Sequence, residues 1–70
     1  MPLTMADGGE TVTIRKITGT DAVRQHLSEL GFMAGEQITV VSKNGGNLIL
    51  QVKDCRIAID ESMAKRILVG

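Results

Sequence analysis

The chain has no Trp and no Tyr, and Phe32 is its only aromatic residue. That leaves no platform for stacking bases and no aromatic groove for Pro-rich peptides. A single cysteine, Cys55, cannot close an internal disulfide, so nothing demands an oxidising compartment. An excess of charge is missing too: eight Lys and Arg balance eight Asp and Glu, a formal net charge of +0 with His26 neutral. The long-range field that draws proteins to nucleic acid or anionic membranes is therefore absent. No apolar run reaches the ~20 residues of a membrane-spanning helix. Met1 to Asp7 lacks the basic segment and apolar stretch of a signal peptide. These absences lead us to expect a cytoplasmic protein that meets a membrane only through a partner.

What is present is apolar and finely divided. Hydrophobic residues make up 43% of the 70 positions, too many for a disordered tail. A chain of this length supports one domain, residues 1–70, burying roughly 60% of the surface its unfolded form exposes. A large catalytic cleft would need more wall than that.

Glu10 to Ile17 alternates Val12 and Ile14 with Thr11, Thr13 and Arg15, the period of a half-buried strand. Ile17 breaks the phase and predicts a bulge. Ahead of it Asp7-Gly8-Gly9 reads as a turn, with Leu3 or Met5 available to plug one end of the core. Gly19-Thr20-Asp21 opens a helix that Thr20 or Asp21 can cap, and Val23, Leu27 and Leu30 form its apolar stripe. Gly31 stands where a left-handed residue ends a helix, and Phe32 after it can fold back on Leu27. Met33 to Glu36 reads as a turn in which Gly35 supplies positive φ.

Strands follow at Ile38 to Lys43, Leu48 to Val52 and Cys55 to Asp60. They are joined by Asn44-Gly45-Gly46-Asn47 and by a two-residue turn, Lys53-Asp54, in which Asp54 is the residue suited to positive φ. Asp60 can cap one helical turn through Ala64, and Ile67 to Val69 ends the chain as a strand. The result is a mainly β fold with one α-helix, placed between the first and second main strands. Short strands and tight turns predict a small closed barrel, because closure removes exposed edges.

Reactive constellations are scarce. Cys55 alternates in phase with Ile57 and Ile59, which predicts an inward thiol, and His26 flanks the apolar stripe. No set of roughly four ligands at short spacing exists for zinc, so no metal site and no cofactor are expected. Asp60-Glu61 is the only adjacent carboxylate pair, and successive side chains rarely aim at one target. Gly45-Gly46 joins strands and does not open a helix, so it is no phosphate loop. No catalytic residue is expected, and the reading is of a non-enzyme. Basic residues interleaved with acids also fit a solvated surface better than a nucleic-acid patch. Met33 and Met63, if exposed, offer adaptable contact area.

With these elements in place, the chain resembles the FeoA family of small cytosolic proteins of bacterial ferrous iron uptake. Two segments carry the resemblance: Arg24-Gln25-His26-Leu27-Ser28-Glu29-Leu30-Gly31-Phe32-Met33-Ala34-Gly35, and Asp54 through Val69. Ala34 stands where the family often has proline, and the loop at Asn44 to Asn47 is shorter than the family's usual hairpin. The resemblance implies a small SH3-like β-barrel whose motif residues Leu27, Leu30, Gly31, Phe32 and Gly35 bear the fold. It further implies an accessory role toward FeoB, a membrane transporter with a cytosolic GTPase domain, and a monomer or weak homo-oligomer. Arg24, Gln25, Ser28 and Met33 are the expected contact residues. The same domain resembles the C-terminal module of iron-dependent repressors, so a detached regulatory domain, or a weak metal-binding or iron-sensing domain, is the alternative expectation.

Overall fold

Strand β1 (Thr11–Ile17) changes partner halfway along, and this organises the molecule. Thr11, Val12 and Thr13 pair with Thr39, Ile38 and Gln37 of β2 (Gln37–Asn44). Ile14, Lys16 and Ile17 pair instead with Val69, Leu68 and Ile67 of β5 (Ile67–Val69). The register slips between Ile14 and Lys16, the bulge that the broken phase at Ile17 predicts. At the crossover Ile14 N–H donates to the Glu36 carbonyl at 2.9 Å, while Gly35 N–H donates to the Ile14 carbonyl at 2.8 Å. The bend is thereby pinned to the turn ahead of β2.

The computed structural model describes residues 1–70. After β1 come α1 (Asp21–Glu29), the meander of β2, β3 (Asn47–Val52) and β4 (Cys55–Asp60), a single-turn α2 (Glu61–Ala64), and β5. All pairings are antiparallel, in the order β4-β3-β2-β1-β5. The expected closure of the barrel is not complete. No ladder joins β4 to β5, and α2 bridges them instead, its first N–H groups capped by Asp60, whose Oδ1 accepts from Met63 N–H at 2.8 Å. The remaining edge of β5 is covered by the N-terminal residues, with Pro2 opposite Leu68.

The core comprises 14 residues and all are apolar; no polar side chain is buried. Leu48, Leu50 and Val52 present one face of β3, facing Ile38 and Val40 of β2 and Ile14 of β1. Leu3, in the 3-10 turn Leu3–Met5, fills one end, whereas Met5 points to solvent at 66% exposure. Of the two expected plugs, only Leu3 serves. At the β2–β3 hairpin Gly45 and Gly46 have φ of 55° and 91°, the geometry that matches strand twist. At the β3–β4 turn the positive φ of 55° falls on Lys53, not on the expected Asp54. The hairpin register, Val52 opposite Cys55, decides this, placing the left-handed residue first in the two-residue loop.

Candidate functional site

Helix α1 and the turn that follows it carry the expected contact residues. Thr20 caps the helix: its hydroxyl accepts from Val23 N–H at 3.3 Å. Of the apolar stripe, Leu27 is fully buried, and Val23 and Leu30 pack partly buried against the core. The C-terminus closes as the sequence predicts. Phe32 N–H reaches the Leu27 carbonyl at 2.9 Å, Gly31 N–H reaches the Ser28 carbonyl at 3.0 Å, and Gly31 has φ of 100°. This reversal sends Phe32 inward to complete burial and Met33, the next residue, outward at 45% exposure. Glu36 N–H then closes on the Met33 carbonyl at 3.0 Å, with Gly35 at φ of 93°.

Arg24, Gln25 and Ser28 are all exposed, and their spacing puts them together on the solvent face of α1. Two are held loosely in place. Arg24 pairs with Asp21 one turn earlier, and Gln25 Nε2 lies 3.5 Å from Glu29 Oε1. Both contacts are exposed and add little stability, so they leave the side chains free to exchange partners. Met33 supplies the only large apolar surface adjoining this polar face in sequence.

The groups with reactive side chains stay apart. His26 is exposed on α1. Cys55 is exposed at the start of β4, correcting the expectation of an inward thiol. It does share its phase with Ile57 and Ile59, but the buried positions lie toward the far end of the strand, and only Ile59 is fully covered. Nowhere do three His, Cys, Asp or Glu side chains gather in a way that would hold a metal ion.

Two shallow depressions complete the surface. One, of about 240 Å³, lies between the β2–β3 hairpin and Thr4, where Lys43 Nζ donates to the Thr4 carbonyl at 2.9 Å. The other, of about 570 Å³, spreads over the outer sheet face. Thr11, Thr13, Gln37, Thr39 and Gln51 line it, with Glu36 and Lys53 at 3.8 Å from each other. Thr11 and Thr39 are cross-strand partners with their hydroxyls 2.9 Å apart. In the sequence this polar face, charged only at Glu36 and Lys53, is visible only as the outward half of the strand alternation. It offers hydroxyls and amides for hydrogen bonding and pairs no nucleophile with a base.

The comparisons agree with this picture. The model of the FeoA domain matches residues 1–70. A curated relative, the putative Fe(2+) transport protein A of Methanocaldococcus jannaschii, is 32% identical over 68 residues, covering 97% of this chain and 83% of the relative. Among solved structures, the crystal structure of an iron uptake regulatory protein, FeoA, is 30% identical with a TM-score of 0.90, covering 99% of this chain and 92% of the other. The zinc complex of Stenotrophomonas maltophilia FeoA, described as a prokaryotic SH3 domain protein, is 32% identical with a TM-score of 0.88, covering 100% and 89%. A manganese-dependent transcriptional repressor aligns with a TM-score of 0.91 at 15% identity over 40% of its length, a likeness of fold alone. An SH3-like barrel with the helix between its first two strands, matched over its full length, places this chain in the FeoA family.

Proposed function

We propose that this protein is a cytoplasmic accessory factor of ferrous iron uptake that works by binding the cytosolic GTPase domain of an FeoB-type membrane transporter. The family match over all 70 residues is the observation that carries this reading. The physical character of the chain supports it. A balanced charge and a small, well-packed barrel suit short-range contact led by shape. No helix is long and apolar enough to cross a membrane, and the proposed link to transport runs through a partner. No three His, Cys, Asp or Glu side chains gather in one place, and this reading needs no reactive centre.

The contact surface is the exposed face of α1 with the turn after it: Arg24, Gln25 and Ser28 as polar contacts and Met33 as the adaptable apolar one. Amide-shift perturbation with the isolated GTPase domain tests this directly. Shifts should cluster on residues 24–33 and disappear with Arg24→Glu combined with Met33→Ala. A saturating partner that moves no amide would sink direct binding, and shifts confined to the sheet face would move the site.

A further inference from the structure

Strand β4 ends the sheet with its outer edge bare. Its register pairs Val52 with Cys55, Leu50 with Ile57 and Leu48 with Ile59. The two-residue turn makes the first of these a hydrogen-bonded pair, so the backbone groups of Cys55, Ile57 and Ile59 serve β3. Those of Arg56 and Ala58 point away, and no backbone or side-chain group bonds to them. Between Cys55 and Ile59 the edge has no proline, glycine, bulge or lysine, and Arg56 is its single charged side chain.

The opposite end of the sheet is treated differently. Val69 N–H donates to the Met1 carbonyl at 2.7 Å, the Met1 nitrogen donates to the Val69 carbonyl at 2.8 Å, and Pro2 covers Leu68. A head-to-tail array needs two complementary open edges. With one covered, the other can pair with its own copy only across a twofold axis, and assembly then stops at two.

We propose that β4 pairs antiparallel with β4 of a second copy of this chain, forming a weak twofold dimer. Charge selects the register. The outward backbone groups occupy even-numbered positions, so the axis can pass at Arg56, at Ile57 or at Ala58. An axis at Arg56 sets two guanidinium groups face to face. An axis at Ile57 sets Asp54 against Asp60 of the second copy. An axis at Ala58 sets Arg56 against Asp60 twice, with only the Ala58 methyl groups meeting at the centre. Opposite charges directly across a strand pair stabilise it, and like charges destabilise it. Neither Arg56 nor Asp60 has an ion pair within its own chain. Asp60 Oδ1 caps α2 and leaves Oδ2 for the second copy, and Arg56 has only a 3.5 Å contact from Nε to Gln51 Oε1. On the inner face the same register brings Ile57 beside Ile59 of the second copy.

An edge this short buries well under the ~1,200 Å² of a stable interface, so association is expected only at high protein concentration. Sedimentation equilibrium and amide shifts should be followed up to about 1 mM, the range where such a contact associates. The average mass should rise with concentration while the Arg56 and Ala58 amides shift. Ala58→Pro removes an outward N–H and fixes the local φ, and should abolish both effects with the spectrum beyond its β4 and β3 neighbours unchanged. A chain monomeric throughout, or a mass rise undiminished in folded Ala58→Pro, would overturn the proposal. The second test is covalent. In a Cys55→Ser background, Ala58→Cys should cross-link rapidly under mild oxidation, since an antiparallel hydrogen-bonded pair holds Cα atoms about 5.5 Å apart. Ile57→Cys in the same background keeps Arg56 and Asp60 and should cross-link slowly; faster cross-linking at 57 than at 58 would refute the register.

Discussion

Replacing Phe32 tests whether the only aromatic residue is there to pack or to bind. Its side chain is 0% exposed and is the largest of the fully buried ones. Its backbone N–H is also the donor that ends α1 on the Leu27 carbonyl. Phe32→Ala keeps that hydrogen bond and deletes only the ring. Loss of a buried Phe costs about 3–5 kcal/mol, the transfer term plus the cavity left behind. A chain of 70 residues has a total stability of about 3.5–10 kcal/mol, so the variant loses from about a third to all of it. For a domain of this size the melting temperature should fall by about 15–30 °C. The absence of Trp and Tyr makes intrinsic fluorescence a poor probe, so urea unfolding is best followed by far-ultraviolet circular dichroism. Gly31→Ala is the informative companion. A Cβ there would sit 3.6 Å from Val52 Cγ1, an ordinary contact, so its cost is the φ of 100° alone, about 1–2 kcal/mol. Because glycine and phenylalanine serve one cap, the double variant should show coupling of about 0.5 kcal/mol or more. A loss below about 1 kcal/mol for Phe32→Ala would refute the packing role, since no well-filled core site tolerates that deletion so cheaply.

Other substitutions probe single features. Thr20→Ala and Asp60→Ala each remove a helix cap and should each cost about 1 kcal/mol in urea unfolding; the second should loosen the α2 bridge between β4 and β5, read as faster amide exchange at Met63. Lys53→Gly relieves a left-handed backbone and gives up only an exposed 3.8 Å ion pair with Glu36, so stability should hold or rise by up to about 1 kcal/mol. Cys55 should react with a thiol reagent in the folded state without waiting for unfolding, and Cys55→Ser should change stability by less than about 0.5 kcal/mol; slow, unfolding-limited reaction would contradict its exposure.

Features written in a few neighbouring residues are legible in the amino-acid sequence. Thr20, Leu27, Gly31 and Phe32 specify both ends of α1, because caps are bonds between residues three to five apart in the chain. The bulge in β1 shows in the phase of Ile17. The positions of Arg24, Gln25 and Ser28 on an outward face follow from helical spacing once Leu27 is taken as core. Cys55 marks where this reasoning fails. Alternation assigns it to the inner face, but a face is buried only where another element lies over it, and nothing covers the start of β4.

Sequence alone therefore determined the elements, their order and the residues that bear the fold, since each depends on local torsions and short-range bonds. Tertiary structure decided the rest. The bridging of β4 and β5 by α2, the covering of β5 by Met1 and Pro2, and the bare edge of β4 all join or separate residues distant in the chain. Met1 meets Val69 across nearly the whole length of the chain. Such pairings are selected by the packing of one shared core and by the entropy of closing long loops, and no short window of sequence contains either.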